Sequence, residues 1–375
     1  AYTFSTKPLA YALYTWGHAD DGAQAQNDLV KRSSPTQVGS DTDWAWVSGS
    51  TNSGADGAAL ATKLDGTLWS WSNNAQGESA QNNVVKYSSP VQIGSDTTWT
   101  NNFGGRYAQG GVKTDGTLWV WGINDTGALG VNNRTQYSSP VQLGSDTNWS
   151  LINFSHGELS MGIKTDNTLW TWGKNEYGGL GLNQAEAQLA GASSPVQIPG
   201  TDWAKTVPGY NDWNMGAIKT DGTLWTWGFN NGGELGQNNR TAYSSPVQIP
   251  GTTWKDVSYG HSSPLGVKTD GTLWVWGRNE YGELGLNTQG DNMYYSSPVQ
   301  VPGTTWDRVF TYSSKTSYAL KTDGTLWAWG YGEHGQLGLN QGGPTKVSSP
   351  TQIPGTNWYD VSWVRGNAMA ALKEV

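Results

Sequence analysis

The sequence predicts an all-β protein, a seven-bladed β-propeller with four antiparallel strands per blade, built as one domain over residues 1–375. Three observations predict it. The segment D-G-T-L-W-x-W begins at Asp65, Asp115, Asp221, Asp270 and Asp323, with D-N-T-L-W-T-W at Asp166, so a unit of about 50 residues repeats along the chain. Ser-Ser-Pro recurs seven times, ending at Pro35, Pro90, Pro140, Pro195, Pro246, Pro298 and Pro350, and a separate Trp recurs seven times, at Trp44, Trp99, Trp149, Trp203, Trp254, Trp306 and Trp358. The two chain ends are half-units. Residues 12–17 (A-L-Y-T-W-G) are a degenerate seventh copy in which Tyr14 replaces the first Trp and Trp16 holds the second, and residues 369–373 stop where Asp-Gly would follow.

Within one unit, Ala319 to Thr322, then Asp323-Gly324, then Thr325 to Trp329 read as two strands around a two-residue type I′ turn, since Asp-Gly tolerates positive φ. Trp327 and Trp329 lie two apart and share one sheet face; Leu326 and Ala328 share the other. Both faces are apolar, which suits a radial stack of blades better than a sheet wetted on one side. A third strand is expected around Trp306, over residues 305–309, and a fourth after Ser-Ser-Pro, over residues 299–301. Pro298 lacks an N–H donor and is tolerated at a strand start or edge. Pairing residues 12–17 with 369–373 completes one blade from both ends, after an N-terminal extension of residues 1–10. Aligned on the 322–325 hairpin, that pairing sets Leu372 opposite Tyr14 and Lys373 opposite Leu13.

Composition narrows the function. The 22 Lys and Arg against 30 Asp and Glu give a net charge of −8, the wrong sign for displacing counterions from phosphates, so nucleic acid is not an expected partner. Charged residues are only 14% of the chain and mean hydropathy is −0.57, so the polarity lies in Asn, Gln, Ser and Thr and the expected surface is neutral and hydrogen-bonding. With no Cys, disulfides, thiolate chemistry and Cys-based zinc sites are excluded. No apolar run approaches bilayer length and the start lacks a secretion signal, so the expectation is cytoplasmic synthesis without a cleaved signal peptide and no membrane insertion.

Each unit also carries a W-G-x-N-x-x-G-x-L-G run, matched closely at residues 121–130, 172–181, 227–236 and 276–285 and with one inserted residue at 329–338; the units after Trp16 and Trp71 have lost the L-G ending. These runs resemble the regulator of chromosome condensation repeat, a family of seven-bladed propellers. The T-D-G-T-L-W and S-S-P-V-Q phrasing resembles its bacterial and bacteriophage branch. The eukaryotic founder of the family is a nucleotide exchange factor that also docks on nucleosomes. Exchange there depends on an inserted wedge, for which the even repeat spacing here leaves no room, so a guanine nucleotide exchange factor or similar regulator is the least favoured reading.

No catalytic, cofactor-binding or metal-binding constellation is expected. His18, His156, His261 and His334 fall in four different repeats, and the Asp residues of the D-G-T segments read as turn formers. Glu234, Glu283 and Glu333 lie near Gly-rich loops without a spaced acid/base partner, and no helix follows the glycines to hold a phosphate. Aromatic platforms are the better candidates. Of 23 Trp, Trp46, Trp213 and Trp363 stand off the repeat pattern. Tyr177 and Tyr281 sit in N-E-Y-G loops, and Tyr137, Tyr243 and Tyr295, like Tyr87, precede Ser-Ser-Pro. The expected function is a non-catalytic structural or protein-binding module whose partners are neighbouring subunits of a larger assembly, such as a bacteriophage capsid or tail, located in a virion or on a cell surface or particle. The second reading is a carbohydrate-binding propeller that holds glycans between blades.

Overall fold

The computed structural model describes residues 10–49, 57–106, 108–155, 158–209, 213–260, 262–311, 315–341, 343–365 and 367–375. His156, His261 and nearly all of the N-terminal extension lie outside them. The described residues form 28 β-strands and two 3₁₀ turns, Asp20–Gly22 and Glu176–Gly178, with no α-helix among them.

The strands group in fours. Blade 2 serves as the pattern: Trp99–Gly104, Ala108–Lys113, Leu118–Gly122 and Tyr137–Gln142 lie side by side, all antiparallel. Numbered by the recurring Trp that opens each, blade 1 starts at Trp44, blades 3 to 6 at Trp149, Trp203, Trp254 and Trp306, and blade 7 at Trp358. Blade 7 joins the chain ends: Trp358–Arg365 and Ala368–Glu374 pair with Tyr11–Gly17 and Arg32–Gln37. A single bridge from Tyr11 to Trp44 links it to blade 1 in one eight-stranded sheet.

The terminal strands therefore pair, but one residue away from the register expected. Leu13 faces Leu372 and Tyr14 faces Ala371. The cause is the turn. Lys321 N–H donates to Thr325 O and Gly324 N–H to Lys321 O, so three residues, Thr322, Asp323 and Gly324, form the loop, and only Gly324 has positive φ, at 74°. This is a type I turn closed by a left-handed glycine rather than type I′, and the extra residue slides the register by one. The Asp carboxylate explains the choice, because Asp323 Oδ1 accepts from Thr325 N (3.0 Å) and Thr325 Oγ1 (2.7 Å), and Thr325 Oγ1 in turn accepts from Trp327 Nε1 (2.9 Å). The same Asp–Thr–Trp relay recurs in the other five D-[GN]-T turns, from Asp65 to Asp270. These bonds hold each turn carboxyl below the usual carboxylate range, the Thr hydroxyl contributing most.

Other bounds also move. The strand opened by the recurring Trp is the innermost of each blade, and the outer strand of blade 5, Tyr294–Val301, contains Ser-Ser-Pro instead of following it. Pairing with Leu273–Arg278 is broken by a bulge over that motif, so the missing N–H of Pro298 falls on an edge strand where nothing needs it.

Both blade faces are buried, as the alternation requires. Trp329, with Trp327 partly buried beside it, packs on Leu265, Val275 and Leu284 of blade 5; Leu326 and Ala328 pack on Trp358 and Met369 of blade 7. Two polar contacts then staple every blade to the next. The second Trp of each pair donates its indole N–H to a loop carbonyl of the preceding blade: Trp71 to Ala23, Trp121 to Glu78, Trp172 to Ala128, Trp227 to Gly179, Trp276 to Glu234, Trp329 to Glu283 and Trp16 to Gln336. A left-handed loop Asn in each blade donates its backbone N–H to the first Ser of Ser-Ser-Pro in the following blade, from Asn27 to Ser88 round to Asn340 to Ser33. The preceding loop's glycine backs onto that Ser and is required there: a Cβ on Gly178, at φ +79°, would lie 2.6 Å from Ser244 Cβ.

Candidate docking face and central channel

Strand alternation puts two kinds of connection at each end of the propeller. The turns holding Asp-Gly lie at one end. The loops after the inner strand and after the T-L-W-x-W strand lie at the other, and this end carries Tyr177, Trp213 and Phe229. In the loop after Trp172, Asn175 acts as a brace: its Oδ1 accepts from Leu180 N (3.0 Å) and its Nδ2 donates to Leu189 O (2.8 Å) and Gln184 O (3.0 Å). The brace holds Tyr177 in the left-handed region, at φ +53°, with 45% of the residue exposed. Its ring meets Trp213 (centroids 5.6 Å) and Phe229 (4.9 Å) of the next blade, and those two meet each other at 5.2 Å. Lys174 lies beside this cluster between Glu176 and Glu158, and the hydrogen bond to Glu176 chiefly holds its ammonium above the usual range. A second cluster sits over blades 5 and 6, where Tyr281 packs on Tyr331 at 5.2 Å with Lys315 Nζ 3.6 Å from its ring centre.

The other predicted contacts divide. Trp363 is fully buried between blades 6 and 7 and is corrected from contact to core: it lies five residues after Trp358, on the face of the inner strand turned to the neighbouring blade, like Phe154 after Trp149. Tyr137 and Tyr243 are half-buried struts whose hydroxyls accept from Asn133 Nδ2 and Asn239 Nδ2, each at 3.1 Å, and Tyr295 Oη lies 3.9 Å from Met293 Sδ. Trp46 lines the central channel, its indole N–H donated to Asn102 O at 3.1 Å and its ring edge-on to Phe103 at 5.8 Å. The fold also brings two histidines together. His18 and His334 come from distant repeats, yet their rings lie 4.8 Å apart across the seam of blades 7 and 6. No group of three or more His, Asp or Glu among the described residues could hold a metal ion.

Sequence reading missed three features. Phe229 and Tyr331 stand at the variable position that follows Trp-Gly. Leu29, Val30, Val84 and Val85 are exposed aliphatics before the outer strands of blades 7 and 1. The channel cavity, about 280 Å³, is lined by the second residue after most of the recurring Trp residues: Trp46, Leu151, Lys205, Asp256, Arg308 and Asp360. One side of it is thus apolar and the other charged. Lys205 pairs with Asp256, whose Oδ2 accepts from Val309 N at 2.8 Å; Arg308 Nη1 reaches Asp360 Oδ1 at 3.5 Å.

Burial pushes the Asp360 carboxyl up to about 6; Arg308, the N–H of Val361 and Lys205 oppose the rise and Asp256 adds to it. A carboxyl raised on folding stabilises the protein below its unfolded value near 4 and loses that contribution as pH rises through 6. Asp360→Asn is therefore expected to gain stability relative to the parent between pH 4 and 7. Urea unfolding midpoints of both proteins across that window check it; a difference that does not change with pH refutes it.

Fold and surface define a class: a repeat propeller of equivalent structural positions with variable residues at one end and in the channel. The chain belongs to the regulator of chromosome condensation (RCC1) repeat family, whose repeat matches residues 115–157, 166–207, 221–263, 270–310 and 323–366. Over about half of its length it is 23% identical to the human probable E3 ubiquitin-protein ligase HERC3 and 25% identical to the ultraviolet-B receptor UVR8 of Arabidopsis thaliana, and the matched regions cover 18% and 46% of those proteins. Among solved structures it is similar to Prp20p from Saccharomyces cerevisiae (TM-score 0.84, 16% identity, 98% of this chain and 93% of that one), described with its binding to Gsp1p and histones. It is also similar to human WBSCR16 (TM-score 0.81, 17% identity, 97% and 99%).

Proposed function

We propose that this chain is a non-catalytic, protein-binding propeller that docks through the end carrying Tyr177, Trp213 and Phe229. The observation that carries the reading is that cluster: three aromatic rings from two adjacent blades, stacked edge to face around a solvent-exposed Tyr on a braced left-handed turn. Rigid aromatics exposed at low conformational cost suit a protein hot spot. The similar propeller Prp20p is described as binding Gsp1p and histones and, in another structure, as bound to Kap60, which supports a protein partner for this fold. The finer part of the proposal is that the partner is a neighbouring subunit of a larger particle, a bacteriophage capsid or tail. It is supported by the phrasing of the repeats and by the low-charge surface.

A photo-cross-linking residue at Tyr177 tests the docking end in material from the natural source, with the same residue at the turn position Thr97 as the control. The expected result is one protein adduct from position 177, lost in Trp213→Ala, and none from position 97. Equal labelling from both sites, or none from 177, rejects the docking end. Density-gradient sedimentation of the same material tests the particle: co-banding with virus-sized particles supports it, and recovery near 40 kDa rejects it. Binding to a glycan array in place of a protein adduct would favour the carbohydrate reading.

A further inference from the structure

On the charged side of the channel each acid takes a base from the preceding blade: Asp256 takes Lys205 and Asp360 takes Arg308. Asp256 is satisfied at both oxygens, by Lys205 at Oδ1 and by Val309 N–H at Oδ2. Asp360 is not. Arg308 Nη1 (3.5 Å) and Val361 N–H (3.0 Å) both reach Oδ1, and Oδ2 accepts no hydrogen bond among the described residues although Asp360 is only 5% exposed. That oxygen opens onto the cavity, where a ligand donor can reach it. The inner strand of blade 7 packs against that of blade 1, so the residue beyond Asp360 round the wall is Trp46. The indole N–H of Trp46 is already committed to Asn102, which leaves its ring as lining, with Phe103 and Phe310 completing an apolar wall.

We propose that the channel binds a small organic ammonium ion with an aromatic or branched aliphatic body, its N–H groups donated to Asp360 Oδ2 and its apolar body laid against Trp46, Phe103 and Phe310. A cation held between a carboxylate and an indole gains a charge-assisted hydrogen bond and a cation–π contact in a desolvated setting. An anion does not fit, because each base on the wall is taken and the free oxygen would repel it. A neutral ligand would leave Oδ2 without a charge-assisted donor. The cavity volume of about 280 Å³ lies at the small end of ligand sites, which limits the body to about one ring.

Isothermal titration calorimetry with 2-phenylethylamine tests this, with 2-phenylethanol and phenylacetate as the neutral and anionic comparators. Saturable binding of one amine per chain is expected, with both comparators weaker by about tenfold or more. Asp360→Asn keeps the side-chain shape, and its fold is checked by circular dichroism; it should erase the preference for the amine. Trp46→Leu should weaken the amine by about tenfold, and Trp213→Ala, at the opposite kind of site, should leave it unchanged. The proposal is overturned if the folded parent protein shows no saturable heat with the amine, if Asp360→Asn keeps the preference, or if Trp213→Ala abolishes binding.

Discussion

Trp16→Ala is expected to lower the unfolding free energy by about 3 to 5 kcal/mol, the range for emptying a buried Trp site. Trp16 is fully buried, donates its indole N–H to Gln336 O at 2.7 Å and meets Trp358 edge to face at 6.1 Å. It therefore fills the seam between blades 6 and 7 and supplies the staple there. Trp227 makes the same bond, to Gly179 O at 2.8 Å, within the uninterrupted part of the chain. The two sites differ in what holds the strand afterwards. The strand around Trp227 keeps sequence neighbours on both sides, whereas Tyr11–Gly17 is held to Ala368–Glu374 only by non-local pairing, whose loop-closure cost nothing nearby in sequence offsets. Trp16→Ala should thus also raise amide exchange across Tyr11–Gly17 and Ala368–Glu374 under native conditions, while Trp227→Ala should raise it only across its own seam. Trp16→Phe, which keeps a ring and leaves Tyr318 Oη as the donor to the Gln336 carbonyl, should cost less, about 0.5 to 1.5 kcal/mol for the lost hydrogen bond. Equal exchange profiles for the two alanine variants would show that the chain ends are no weaker a joint than any other.

The reason this fold was legible, and the site only partly so, lies in those staples. A position that makes the same contact in blade after blade keeps its residue type, so Trp16 and its six equivalents, the seven Ser-Ser-Pro motifs and the six turn Asp–Thr pairs all stand out as repeats. The one-residue register error came from a backbone detail, the third residue of the loop, which Asp-Gly alone does not disclose. Channel and docking positions obey the opposite logic. The second residue after the recurring Trp reads Trp46, Asn101, Leu151, Lys205, Asp256, Arg308 and Asp360, and all but Asn101 line the cavity, with no common chemistry. Comparing repeats treats such a position as noise; only its place on the innermost strand, past the bulge that follows the recurring Trp, reveals it as lining. Tyr177 and Trp213 were found because large aromatics are conspicuous off the pattern, whereas Phe229 occupies a position where other blades have Ile123, Lys174 and Arg278 and so gave no signal. Trp363 misled for the same reason in reverse, since a large residue off the pattern can equally fill a seam.

Gly228→Ala should damage fold and docking end together. At φ +95° the residue lies beyond the left-handed well, a strain of about 1 to 3 kcal/mol for any L side chain. The new Cβ would also stand 1.9 Å from the carbonyl oxygen of Trp213, which Phe229 N–H holds in a hydrogen bond. The neighbour is backbone, so relief requires the start of Asn214–Lys219 to move, and Trp213 moves with it. Blade 1 shows which part of the penalty is decisive: Ser72 occupies the equivalent place at φ +85°, so the dihedral alone is bearable. The contrast is Gly144→Ala, where φ is +59° and nothing lies within 4 Å of the new methyl, for an expected cost of about 1 kcal/mol. Gly228→Ala should therefore shift the urea midpoint further than Gly144→Ala, and near-ultraviolet circular dichroism should report the loss of Tyr177–Trp213–Phe229 packing in the first variant alone. The Tyr177 cross-link should fall with it. If both variants unfold at the same midpoint and keep the same aromatic spectrum, the backbone at Gly228 does not set the position of Trp213, and the docking cluster owes its geometry to side-chain packing instead.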